Sequence, residues 1–126
     1  MSLRSPLGRV LGLGSAKAGT GHWLAQRVSS VALIPLTLWF MFSMLALPAL
    51  DYATVRAWLS YPVCGFLAVL LIAVLTHHSY LGTTEVIEDY VPSAGSKLLY
   101  LLVLRFLYVL VGGAGLFAIL RIAFSP

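Results

Sequence analysis

The stretch from Val28 to Leu50, VSSVALIPLTLWFMFSMLALPAL, contains no ionisable side chain and is long enough to cross a bilayer. A hydrocarbon core of roughly 30 Å takes about 20 apolar helical residues. Pro35 inside this stretch is compatible with a membrane helix, where neighbouring helices and Ser or Thr hydroxyls can satisfy a freed backbone group. Working outward, Trp58 to Leu81 reads as a second span, with Pro62 near its start and His77 and His78 near its end. Lys97 to Ala123 reads as a third, interrupted by Arg105 and carrying Gly112, Gly113 and Gly115. The connections, Asp51 to Ala57 and Gly82 to Ser96, are short. The expectation is one membrane domain over residues 1–126, with spans near 28–50, 58–81 and 97–123 behind a basic tail of residues 1–27.

Composition agrees with that reading. Of 126 residues, 60% are hydrophobic and 10% charged, far from the roughly half apolar and quarter charged of soluble domains. The net charge of +4 comes from eight Lys/Arg against four Asp/Glu. It lies mostly on a tail beside an apolar segment, which argues for a membrane surface and against nucleic acid. The single cysteine, Cys64, excludes an internal disulfide, a thiolate zinc site and a cysteine-held iron–sulfur cluster within the chain. There is no Gly-rich phosphate loop, no Ser-His-Asp arrangement and no HExxH pattern. A complete enzyme with its own soluble substrate pocket is not expected; a subunit of something larger is.

Lys and Arg near the span ends set the orientation. Arg4, Arg9, Lys17 and Arg27 in the tail and Lys97 in the second connection make five on one side. Arg56 and Arg121 make two on the other. The tail is therefore expected in the cytoplasm and the C-terminus outside. The tail's basic, acid-free composition also suits an organellar transit peptide. It runs directly into the first span without a cleavage context, so it reads as a retained juxtamembrane segment.

Ionisable groups within a span are costly, and each invites a functional reading. Adjacent helical residues point about 100° apart, so His77 and His78 cannot bind one metal from the same side. One should face the bundle interior and the other lipid headgroups or a partner. Neutral imidazole in apolar surroundings is the usual protein ligand of haem iron. On physics alone, an interfacial histidine satisfied by backbone or water is the commoner case. Gly82, four residues after His78 and on the same face, leaves room for a flat macrocycle or for another helix.

At the end of this segment, Asp89-Tyr90 could offer a hydroxyl donor to a quinone carbonyl, or serve as an interfacial anchor beside solvated acids. Arg27, just before the first span with Trp23 and Gln26, could pair with an anion such as a haem propionate through its planar fork of donors. Positive-inside anchoring with an interfacial Trp explains the same residues. Arg105 is expected to snorkel to the same surface. Ala114 and Ala118 form a small-xxx-small pair that suggests helix packing.

Taken together these residues are more specific than any one of them. Gly14-Ser15-Ala16-Lys17-x-Gly19-Thr20-x-His22-Trp23-x-x-Gln26-Arg27 runs into the first apolar helix, and His78-x-x-Leu81-Gly82-x-x-x-Val86-Ile87-Glu88-Asp89-Tyr90-Val91 ends the second. The chain resembles, over nearly its whole length, the hydrophobic membrane anchor subunits of succinate dehydrogenase, respiratory complex II, in their alphaproteobacterial form. The histidine eleven residues before Asp-Tyr, with Gly four residues after it, is the most specific part. One departure is Glu85, where the family commonly carries Gln.

The resemblance implies an all-α membrane protein whose three transmembrane helices form half of a haem-binding helical bundle with a partner subunit. It implies haem b shared with a cytochrome b subunit, each chain supplying one axial histidine, here His78 rather than His77. Tyr90 then matches the tyrosine that hydrogen-bonds ubiquinone, with Asp89 beside it, and Arg27 matches the arginine near the haem propionates and quinone pocket. The implied partners are the cytochrome b, iron–sulfur and flavoprotein subunits in a bacterial inner membrane. The chain itself would not oxidise succinate. The rival expectations are a fumarate reductase anchor and a non-redox membrane scaffold, the latter needing neither His78 nor Tyr90.

Overall fold

Three prolines set where the chain breaks, because the residue before a proline is pushed out of helical geometry. The computed structural model describes residues 19–124, so Arg4, Arg9, Lys17 and the Gly14–Lys17 part of the tail motif lie outside the described residues. Helix α1 spans Gly19–Ala46 and ends just before Leu47-Pro48. A short helix α2, Tyr52–Ser60, ends at an extended Tyr61 (φ −67°, ψ 126°) before Pro62. Helix α3, Pro62–Tyr90, starts with that proline in its first turn, where its missing N–H costs nothing, and ends at an extended Val91 before Pro92. Helix α4 spans Ala94–Phe124. Inside α1, Pro35 removes one backbone donor, and Thr37 beside it gives its hydroxyl to Leu33 O at 2.6 Å and Ile34 O at 3.1 Å.

Three of these helices, α1, α3 and α4, are long and apolar enough to cross a membrane. At 28, 29 and 31 residues, they run to about 42–46 Å, so their ends project beyond a roughly 30 Å hydrocarbon core. The all-α architecture with three spans is as expected, but the boundaries move. The first helix starts at Gly19 rather than Val28, taking in His22, Trp23 and Arg27. Trp58 to Ser60 belongs to α2, so the second spanning helix begins at Pro62. It continues past Leu81 through Tyr90, because polarity alone does not end a helix and nothing stops this one until Val91-Pro92. Only residues 91–93 separate α3 from α4.

The three spanning helices form an open layer with α3 in the middle. It packs antiparallel against α1 on one side and α4 on the other, while α1 and α4 make no close backbone approach. Helix α2 sits across the far end on α3 and α4, and its Trp58 stacks on Trp39 of α1 with ring centroids 5.5 Å apart. The core is thin: Leu36, Leu59, Ala68, Leu71, Leu81 and Leu104, with Ser29 and Thr84. Large apolar side chains such as Phe42, Phe66, Phe106 and Phe117 are exposed. That distribution suits lipid and protein neighbours, since apolar surface gains little by facing inward when the solvent is hydrocarbon.

Glycine brings α3 and α4 together, not the Ala114–Ala118 pair, both of which are exposed. A Cβ on Gly112 would stand 2.6 Å from Thr76 Cγ2, and one on Gly115 3.3 Å from Ile72 Cγ2; at Gly113 it would meet nothing. Thr76 is β-branched and stiff, so it cannot swing aside cheaply. Gly112→Ala is therefore expected to destabilise the α3–α4 contact by about 1–3 kcal/mol, as overpacking does. Gly113→Ala, one position on, should leave the unfolding temperature of the purified protein unchanged. Equal effects would contradict the packing register.

The start of α2 depends on Asp51, whose side chain accepts from Thr54 N at 2.8 Å. Hydrogen bonds from the Thr54 backbone and hydroxyl, together stronger than the opposing desolvation, hold the Asp51 pKa below the ordinary carboxylate value. A depressed folded pKa means the cap contributes fully above the unfolded value of about 3.9 and is lost as pH falls through the folded one. Asp51→Ala at neutral pH and acidification of the wild type should both lower the protection factors of α2 amides, taken relative to the intrinsic exchange rate at each pH. Asp51→Asn, which keeps an acceptor, should largely preserve protection and abolish the pH dependence.

Candidate functional site

Along the α1–α3 seam, polar side chains from both helices meet inside an otherwise apolar layer. Ser29, buried on α1, lies with its Oγ 3.0 Å from His78 Nδ1 on α3 and also donates to Gln26 O at 3.0 Å. A hydroxyl has one hydrogen. With that hydrogen on Gln26 O, the Ser29 oxygen accepts from Nδ1–H of His78. Such a bond fixes the tautomer and leaves the Nε2 lone pair free, the state in which an imidazole ligates a metal.

A Cβ on Gly82, one turn beyond His78, would lie 3.3 Å from Gln26 Nε2 of α1. His22 and Gln26, one turn apart on α1, place Nε2 and Oε1 in buried positions without a hydrogen-bond partner among the described residues. Buried unsatisfied groups cost about 1–3 kcal/mol each.

His77 points elsewhere. It is exposed and lines a separate groove between α3 and α4 with Thr76, Tyr80, Arg105 and Tyr108. Among the described residues no group of three or more His, Cys, Asp or Glu side chains could hold a metal ion. A single axial imidazole does not require one.

The remaining expected site residues stand apart from His78. Arg27 is exposed, with its guanidinium carbon 5.6 Å from the centroid of the Trp23 ring, a cation–π contact on the same helix. Tyr90, 81% exposed, is the last residue of α3, with Asp89 exposed beside it. Asp89 and Tyr90 lie about 16 and 18 Å further along the helix axis than His78, at 1.5 Å per residue. The structure thus brings His78 to Ser29 and does not bring Tyr90, Asp89 or Arg27 to His78. Close to Tyr90, Lys97 donates to Glu88 O at 2.7 Å and ties the start of α4 to the end of α3.

Sequence reasoning gave no role to Ser29 and placed His22 in a tail outside the span. The missed signal is periodic: His22, Gln26 and Ser29 fall at i, i+4 and i+7, one face of a helix that begins at Gly19.

The family described as succinate dehydrogenase/fumarate reductase transmembrane subunit matches residues 1–112. The succinate dehydrogenase hydrophobic membrane anchor subunit of Rickettsia bellii is 38% identical over 90 residues, covering 70% of each chain. The protein of the same name from Paracoccus denitrificans is 35% identical over 86 residues, 68% of this chain and 67% of that one. The Rickettsia conorii counterpart is 34% identical over 79 residues, 62% of this chain and 63% of its own.

Proposed function

Because the chain belongs to the succinate dehydrogenase/fumarate reductase transmembrane subunit family, we propose that it is the membrane anchor of a succinate:ubiquinone oxidoreductase. In this reading it shares haem b with a cytochrome b subunit and helps form the site where ubiquinone is reduced. The observation that carries the haem assignment is the Ser29–His78 contact at 3.0 Å, which orients one imidazole; with Nδ1–H donating to Ser29, Nε2 is the nitrogen left for the iron. His78 would hold the iron from one face. Arg27, near the same end of α1, would neutralise a propionate. When bound, the haem supplies a one-electron carrier in the membrane.

A partner subunit would supply the other histidine to the haem. His77 faces the α4 groove and His22 is two helical turns from Ser29 along α1, so neither shares the position of His78. Tyr90 donates its hydroxyl to a quinone carbonyl at the head-group surface, and Asp89 orients that hydroxyl or relays protons through water. Succinate is oxidised by a soluble flavoprotein, and an iron–sulfur subunit passes the electrons on. The names of the relatives favour succinate oxidation over fumarate reduction, the other activity in the family's description.

A tag on this subunit should recover the flavoprotein and iron–sulfur polypeptides from detergent-solubilised membranes, with succinate-dependent ubiquinone reduction in the eluate. Recovery of the anchor without them would contradict the assignment. The five-to-two Lys/Arg bias places the N-terminus in the cytoplasm of a bacterial inner membrane. A reporter fused after Pro126 is expected to be active only outside; activity in the cytoplasm would reverse the topology.

A further inference from the structure

The groove between α3 and α4 is chemically distinct from the seam that presents His78. It measures about 530 Å³, within the range of sites for small amphiphiles. One end is polar, with Arg105, His77, Tyr80 and Tyr108, and the other is an apolar track past Val109, Gly113 and Leu116. Tyr108 is held in place by Thr83 at 3.1 Å and by edge contact with Tyr80, so the polar end is preformed.

Arg105 sits about 16 Å along α4 from its start, within the membrane-crossing part of the helix. Its charge is permanent. Among the described residues its guanidinium makes no hydrogen bond or ion pair, and no acid lines the groove. A cation at that depth calls for an anion or the head-group layer. The groove opens on the α4 side of α3, whereas His78 turns to the α1 side, so a partner that completes the haem site need not cover it.

We propose that this groove binds one anionic phospholipid, its phosphate on Arg105 beside the Tyr108 hydroxyl and an acyl chain lying along the Gly113 track. Phosphate suits the planar fork of donors on arginine, and the glycine leaves a chain-wide path on the helix surface. This site is independent of the haem reading, since the Arg105 variants below should leave the b-type spectrum intact.

The test uses the whole complex in nanodiscs of phosphatidylcholine containing a minor fraction of phosphatidylglycerol, with retained lipid counted by native mass spectrometry. Wild type and Arg105→Lys are expected to keep phosphatidylglycerol preferentially, while in Arg105→Gln its retention falls roughly tenfold, as loss of a charged hydrogen bond implies. Gly113→Leu keeps the charge and fills the track; a Cβ there meets open space, so folding should survive while lipid retention drops. Equal retention in wild type and Arg105→Gln would overturn the proposal. So would crosslinks from a photoreactive residue at 109 to the cytochrome b subunit, which would make the groove a protein interface.

Discussion

His78→Ala is expected to remove or convert the b-type haem of the assembled complex, while His77→Ala leaves its spectrum nearly unchanged. The two residues are adjacent, yet the helix turns about 100° between them, and the structure shows what that turn does. His78 meets Ser29 in the α1–α3 seam, its Nδ1 3.0 Å from the Ser29 hydroxyl. His77 lines a groove that faces α4. A haem with two axial imidazoles needs them on opposite faces of the macrocycle, and two neighbours on one helix cannot supply both. Loss of a single ligand therefore leaves the iron held from one side, with a changed spin state or no retention.

Ser29→Ala gives a graded version of the same test. It keeps the ligand and removes the oxygen that fixes its ring. Partners of metal-bound histidines typically matter by 10–100-fold in affinity, so haem retention should weaken by roughly that much. If His77→Ala bleaches the haem and His78→Ala does not, the functional face of α3 is rotated by one residue.

Tyr90→Phe is expected to depress ubiquinone reduction while sparing haem content and succinate oxidation by an artificial acceptor. Reducing a quinone to quinol takes two electrons and two protons, so the site needs a donor aimed at a carbonyl oxygen. A tyrosine hydroxyl, with a reference pKa of about 10, donates without placing a charge beside an apolar ring. Tyr90 closes α3 and is exposed, and its hydroxyl makes no hydrogen bond among the described residues, so it is available to a ligand. A neutral hydrogen bond of about 0.5–1.5 kcal/mol corresponds to roughly a two- to tenfold loss, more where charge develops on the quinone oxygen. The separation of about 18 Å along α3 lets quinone and haem effects be read independently. Normal quinone turnover in Tyr90→Phe would return the residue to an interfacial anchor.

The spans were legible because 23 uncharged residues from Val28 and two further long apolar runs, the last interrupted by Arg105, leave few alternatives to membrane helices. The helix ends were less so. Hydropathy reports where the hydrocarbon ends, whereas a helix stops where the backbone is prevented from continuing, here at Leu47-Pro48, Tyr61-Pro62 and Val91-Pro92. The short helix α2 was hidden in an apparent connection, although Asp51 three residues before Thr54 is a capping signal. Which histidine faced which neighbour was not legible from periodicity. In helices apolar on nearly every face, the pattern carries little information about rotation. Family spacing selected His78, and the Ser29 contact supplies a physical reason for that choice. The role of Gly112 rather than Ala114 and Ala118 in packing depended on helix rotation in the same way.

The most direct measurement is a dithionite-reduced-minus-oxidised spectrum, with haem quantified per copy of this subunit, on the complex purified through it. The account predicts a b-type band at one haem per copy, reducible by succinate. A preparation containing the flavoprotein, iron–sulfur and cytochrome b subunits but no b-type band would contradict it.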